Sequence, residues 1–287
     1  MIIPFTKMQA YGNDYVYIDA TKVSVDDWVD LAIKISNRNF GVGSDGMILI
    51  CDSDVCDFRM RVFDPDGTEC EMCGNALRSV SKFVYYYGMT DKKELTIETI
   101  GGHQHVELDV KDNEVVNIHA DIGLPVFDAK RVPVIVPPNS DGKQKEELFD
   151  VPVTIGDRVF RMSSLSWGNP HTVMFIDDVD TLDIKKYGPA IENHPMFPAR
   201  TNVTFAQKVD ENTIKIREWE RGTGETIGCG TGCCTAVVFG NRLGITGRHV
   251  DVHQIGGVLH VDWDEKDHVH MVGPSTVVYE GEYYYEA

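Results

Sequence analysis

Positive charge is scarce in this 287-residue chain: 27 Lys and Arg stand against 45 Asp and Glu, a formal net charge of −18. The average field of such a protein repels phosphate backbones and anionic membranes, so neither nucleic acid nor a membrane surface is an expected partner. Long apolar runs are missing too. No stretch approaches the roughly 18 uninterrupted apolar residues of a membrane-spanning helix, and "MIIPFTKMQAYGNDY" lacks the basic start and apolar segment of an export signal. A soluble, cytoplasmic protein is expected. The seven cysteines are an odd number in a chain too large to need disulfide stapling, which favours reduced thiols. Cys70-x-x-Cys73 could be half of a zinc or redox site. A zinc site needs a second pair, however, and Cys229 with Cys233 or Cys234 lacks the usual two-residue spacing, so no metal is expected.

At 42% hydrophobic and 25% charged, the chain has the composition and length for about two globular domains. An internal repeat supports that division. An offset of 156 residues carries Gly12-Asn13 onto Gly168-Asn169, Arg61 onto Arg217, Glu69 onto Glu225, Cys73-Gly74 onto Cys229-Gly230, Phe83 onto Phe239 and Gly88 onto Gly244. One ungapped register thus aligns "RMRVFD" with "KIREWE" and "EMCGNALRS" with "IGCGTGCCT". Two similar halves are expected, with a boundary near Asp121 to Pro125. The polar segment Val136–Glu147 reads as a surface loop within the second half.

Most other segments read as strands, among them "GMILI", "FRMRVF", "HVELDV", "TIKIREW" and "VLHVDW". Two helices are expected, one after each repeated cysteine. Leu77, Val80, Phe83, Val84 and Tyr87 recur at helical steps before Gly88, and "CCTAVVFGNRLG" is apolar on nearly every side, as in a helix enclosed by sheet. The fold class expected is α+β: two pseudo-symmetric domains, each a curved mixed sheet or barrel around a central helix.

A cysteine opening a helix meets unpaired backbone N–H groups and the positive end of the macrodipole. This should lower its thiol pKa from the free value of about 8.5. The same amides suit a substrate carboxylate, and glycine permits its close approach. Two such turns facing one substrate could invert a carbon centre. One thiolate would remove the Cα proton while the opposing thiol protonates the other face, and the helix ends would stabilise the charge developing on the carboxylate.

The blocks "GND", "CGN.LR", "GNPH", "RTNV", "ERGTGET" and "CGTG", in this order from residue 12 to residue 232, resemble the diaminopimelate epimerase family of cofactor-independent amino-acid racemases. The resemblance covers essentially the whole chain. It implies domains of residues 1–121 with a returning strand at 275–287, and 122–274, an active site in the cleft between them, no cofactor, a small amino-acid substrate, and a homodimer. It further implies Cys73 and Cys229 as the proton-transfer pair and Gly74, Asn75, Gly230 and Thr231 as holders of the reacting carboxylate. Asn13 would line the cleft, Asn169, Asn202 and Arg221 would bind the far carboxylate, and Glu220 the far ammonium.

Asp64 departs from the pattern. In "FDPDGT" it stands where the family usually has Asn, so it would lie near a substrate carboxylate. A racemase of another amino acid, such as histidine, and a non-catalytic amino-acid binder are the alternative readings. Cys51, Cys56, Cys233 and Cys234 read as small buried hydrophobes, with Cys70 open. His103 and His105 read as solvent-facing residues of a strand, and Arg61 and Arg217 as strand residues. Glu69 and Glu225 read as loop ties that accept backbone N–H bonds.

Overall fold

The computed structural model describes residues 1–138 and 146–286, so the loop expected at 136–147 falls largely outside the described residues. The chain divides into two compact units, Met1–Asp121 with Val272–Ala287, and Ile122–Met271. Among the described residues no helix is long and apolar enough to cross a membrane.

The first unit runs β1 (Ile2–Ala10), β2 (Asn13–Asp19), α1 (Trp28–Ser36), β3 (Met47–Cys51), β4 (Phe58–Phe63), β5 (Glu69–Cys70), α2 (Gly74–Tyr86), β6 (Glu94–Thr99), β7 (Gly102–Lys111) and β8 (Glu114–Asp121). The second runs β9 (Val151–Ile155), β10 (Arg158–Ser166), β11 (Pro170–Phe175), α3 (Ile184–Glu192), β12 (Asn202–Lys208), β13 (Thr213–Glu220), β14 (Gly224–Thr226), α4 (Gly230–Arg242), β15 (His249–Gln254) and β16 (Gly257–Trp263). Strand β17 (Val269–Gly273) leads the chain back to the first unit, where β18 (Thr276–Tyr284) lies antiparallel to β1.

In each unit parallel and antiparallel strand pairs occur together, and the pairings match. Strands β2 and β3 are parallel with Tyr17 opposite Ile48, and 156 residues later β11 and β12 are parallel with Val173 opposite Thr204. Likewise Met47 faces Phe63 and Val203 faces Trp219 in antiparallel pairs. Helix α2 packs on β1, β2, β4, β7 and β8, strands from both ends of one sheet, so that sheet bends around it. Strand β3 shows why its sequence is an unbroken apolar run: Ile48 and Ile50 join the core around α2, whereas Met47 and Leu49 join a second core on the opposite face with Leu31, Ala32 and Ile35 of α1.

Helices α1 and α3 were not among the sequence expectations, yet they obey the same offset. Asp27 caps α1 by accepting the amides of Val29 and Asp30, and Asp183 caps α3 by accepting that of Lys186. Each helix has nine residues, and α3 contains Gly188 and Pro189, which mask its period. Glycine is required at 188 because a Cβ there would meet the Trp219 ring at 2.6 Å.

Beneath α4, strands β11, β12 and β13 of the second unit bury three polar side chains with apolar or aromatic counterparts in the first. His171, Thr204 and Glu218 are buried at the positions that Tyr15, Ile48 and Val62 hold in the first unit. Among the described residues, His171 Nδ1, Thr204 Oγ1 and both Glu218 oxygens make no hydrogen bond of good geometry, and Glu218 Oε1 lies 3.9 Å from His171 Nδ1. Burial decides their charge. It raises the Glu218 pKa well above the usual carboxylate range, and it pushes His171 down to about 3 with help from the nearby Arg221 charge. The 3.9 Å contact therefore joins two neutral groups and is no ion pair.

Stability should respond to pH accordingly. Glu218 binds its proton more tightly when folded, so its contribution is complete below about pH 4.5 and declines as pH rises. His171, neutral when folded, costs stability as pH falls below about 6.5. The two slopes oppose each other between these values, and above them Glu218 acts alone. Urea midpoints should show Glu218→Gln losing less stability than wild type between about pH 6.5 and pH 8. Parallel curves would exclude a buried neutral carboxyl group.

Candidate functional site

Each repeated cysteine follows a short hairpin held by an Arg–Glu pair. In the first unit Arg61 Nε and Nη2 donate to the two Glu69 oxygens at 2.8 Å, joining β4 to β5. In the second, Arg217 Nε and Nη2 donate to Glu225 Oε1 at 2.9 and 2.7 Å, and its Nη1 donates to the carbonyls of Val179 and Leu182. Glu69 and Glu225 thus tie the loops through arginine and not through the backbone amides expected from the sequence. A guanidinium forks onto a carboxylate in a planar geometry that a backbone amide cannot offer.

Cys73 is the N-cap of α2, with extended backbone (φ −137°, ψ 117°), and is partly exposed. The Tyr15 hydroxyl donates to its Sγ at 3.7 Å, and Sγ lies 3.7 Å from Asn13 Oδ1. Asn75 Nδ2 donates to that same Asn13 oxygen at 3.3 Å, while Arg78 Nη2 donates to Asn75 Oδ1. Asn13 is steadied from outside by donation to Asp45 Oδ2 at 2.9 Å. Cys73, Gly74, Asn75 and Asn13 therefore form one cluster at the helix start. Asp64 lies before the turn, where its Oδ2 accepts the Cys70 thiol at 2.9 Å. Burial, and then this acid, raise the Cys70 pKa, so Cys70 stays a thiol.

Cys229 is the N-cap of α4 and is buried. Its Sγ accepts the Gly232 amide at 3.4 Å and lies 3.5 Å from Thr231 Oγ1, while its own amide donates to Gln254 Oε1 at 3.0 Å. The helix end thus engages the sulfur as anticipated, but the expected fall in pKa does not follow. Desolvation is the largest influence, the charges of Glu220 and Glu218 add to it, and together they outweigh the Thr231 and Gly232 hydrogen bonds. Cys229 rests as a thiol. The glycine at 232 is required here, since a Cβ would lie 2.6 Å from Glu218 Oε2.

The remaining expected site residues gather around two turns of the second unit. Asn169 sits between β10 and β11, and its side-chain amide makes no hydrogen bond among the described residues. Asn202 is buried with both ends of its amide engaged: Nδ2 donates to the Pro170 carbonyl at 3.0 Å, and Oδ1 accepts the Arg221 backbone amide at 2.9 Å. It joins the "GNPH", "RTNV" and "ERG" blocks through their backbones. Arg221 is partly exposed and donates to the Ala199 carbonyl at 3.2 Å. Glu220 accepts the Thr226 hydroxyl.

The sequence did not mark Tyr15, Glu218 and Gln254, which lie beside the cysteines, or His171, which lies against Glu218. The repeat held a signal for two of them, because Tyr15 and His171 are equivalent under the 156-residue offset. Cys233 and Cys234 are buried as expected, but Cys51 and Cys56 are partly exposed. His103 and His105 face solvent on β7. Among the described residues, no group of three or more His, Cys, Asp or Glu side chains is arranged to hold a metal ion.

The family model described as diaminopimelate epimerase matches residues 5–127 and 163–278. A diaminopimelate epimerase of Methanococcus maripaludis (strain S2) is 43% identical over 279 residues, covering 97% of this chain and 98% of the relative. One of Desulfovibrio desulfuricans is 44% identical over 281 residues, covering 98% of each. Among solved structures, a phenazine biosynthesis protein of the PhzF family from Enterococcus faecalis superposes with a TM-score of 0.69 at 15% identity, over 99% of this chain and 100% of the other. A hydroxyproline epimerase from Agrobacterium vitis gives 0.62 at 13% identity, over 98% and 92%. At such identities the structures speak for the fold alone. The matched segments and the near full-length relatives settle descent: this chain belongs to the diaminopimelate epimerase family.

Proposed function

We propose that this protein is an isomerase that converts LL-diaminopimelate to meso-diaminopimelate by a two-thiol reaction at Cα, without a cofactor. The observation that carries this reading is a cysteine at the start of an enclosed 13-residue helix, behind an arginine-locked hairpin, occurring twice at a fixed offset. Relatives that are named for this reaction support it.

In this reading the thiolate of one cysteine takes the Cα proton. The C–H bond breaks, an S–H bond forms, and the electron pair left on Cα spreads into the carboxylate. The backbone amides of Gly74, Asn75, Gly230 and Thr231, which lie in first helical turns where no intrahelical acceptor exists, receive that charge. The second thiol then protonates the opposite face of Cα and is left as thiolate. Because burial keeps Cys229 protonated, it enters as the donor and Cys73 as the base. Asn13 lines the reacting end. Asn169 and Arg221 take the far carboxylate, Asn202 fixes the Arg221 backbone, and Glu220 takes the far ammonium. The halves 1–121 with 275–287, and 122–274, each contribute one cysteine, and the enzyme works as a cytoplasmic homodimer.

Cys73→Ser and Cys229→Ser should each lower kcat/KM by at least about a hundredfold, the scale of a lost general acid or base. Deuterium wash-in at Cα, followed separately from the LL and meso isomers, reads this. Wild-type turnover in either variant excludes the two-thiol route. Asp64→Asn should lower KM for diaminopimelate by removing a like charge near a substrate carboxylate; an unchanged KM would mean that Asp64 serves Cys70 only. Sedimentation equilibrium should give twice the 32.2 kDa chain mass, and a monomer would remove the dimer from this account.

A further inference from the structure

Glu192, the last residue of α3, has a side chain only 6% exposed, and no part of the reaction above uses it. Its carboxylate nevertheless gathers three donors from two segments. Oε1 accepts Arg200 Nη1 at 3.0 Å and the Gly222 backbone amide at 2.9 Å, while Oε2 accepts Trp219 Nε1 at 2.8 Å. Trp219 and Gly222 bracket Glu220 and Arg221. Arg200 stands two residues before Asn202, whose Oδ1 holds the Arg221 amide. One carboxylate thus grips the Glu220-Arg221 turn on both sides and ties it to the segment entering β12.

The arrangement is absent from the first unit. Under the 156-residue offset, Glu192, Arg200, Trp219 and Gly222 become Ser36, Ser44, Phe63 and Asp66, which cannot make these bonds. The shared sheet framework does not need the clamp, since the first unit builds the same strand pairings without it. What the second unit has in addition is the Glu220-Arg221 turn. Among the described residues the Arg221 side chain has a single hydrogen bond, to the Ala199 carbonyl, so its position depends on where its backbone is held.

We propose that Glu192 is a positioning residue that fixes the Glu220-Arg221 turn and so sets recognition of the end of the substrate remote from the reacting Cα, where a carboxylate and an ammonium must be bound together. This rests on the assignment of Glu220 and Arg221 to that far end. Glutamine at 192 keeps the shape but supplies one acceptor oxygen for three donors, and its NH2 would face an N–H. Either the indole or the turn amide then loses its partner.

The test is steady-state wash-in kinetics on diaminopimelate with wild type, Glu192→Gln and Trp219→Phe, together with hydrogen exchange at the Gly222 amide. Glu192→Gln should raise KM about tenfold, the scale of a lost hydrogen bond to a charged group, with kcat within about threefold and faster exchange at Gly222. Trp219→Phe removes one leg only and should raise KM by a smaller factor; it decides the matter if Glu192→Gln does not fold. An unchanged KM in the folded variant, or a fall in kcat at constant KM, overturns the proposal. Wild-type protein that exchanges no Cα proton of diaminopimelate sinks the functional reading and this proposal together, whereas wild-type turnover with an unaffected Glu192→Gln variant sinks this proposal alone.

Discussion

The fork between an arginine on one strand and a glutamate on the next decides where each cysteine stands. Strands β5 and β14 have only two and three residues, too short to hold a hairpin by backbone bonds alone. Arg61 with Glu69, and Arg217 with Glu225, close those hairpins at a fixed distance from Cys73 and Cys229. The pairs are partly exposed, so their contribution to stability is modest, but a planar fork fixes direction as well as distance. A chain leaving a locked hairpin has little choice of where its helix begins.

Around those helix starts, two electrostatic effects compete. Aligned peptide dipoles favour a thiolate, and exclusion of water disfavours it. At Cys229 exclusion wins, because the helix is enclosed and two acids stand nearby. At Cys73 the surroundings are different in kind: the sulfur is partly exposed and meets a tyrosine hydroxyl and an asparagine. Similar halves have thus acquired unlike chemical environments, and Glu218, which stands where the first unit has Val62, is one of the two acids that set Cys229 apart.

The repeat made α2 and α4 legible because cysteine, glycine and apolar residues recur there in register. The same register ran through α1 and α3 unseen. Nine residues give too few turns for a period to stand out, and only the aspartate caps at Asp27 and Asp183 marked them. Partners across strands were illegible for another reason: the Glu69–Arg61 and Cys70–Asp64 contacts depend on which side of a hairpin each residue faces, and a one-residue change reverses that. Asn202 was readable as a site residue, but its place under the Arg221 backbone was not, because Pro170 and Arg221 lie far from it along the chain. The direction of the Cys229 pKa required knowledge of burial, which no motif carries.

The pairing of β18 with β1 bears on how the chain is made. Ile2 lies opposite Tyr284, and the register continues to Gln9 opposite Thr276, so the first unit's sheet is finished by residues at the other end of the sequence. The second unit is contiguous and can condense while still attached to the ribosome. The first must wait, with one edge of β1 unpaired, until β18 at Thr276–Tyr284 has emerged. An exposed edge of nine residues is a hazard during that interval, and the net charge of −18, which keeps nascent copies apart, works against it.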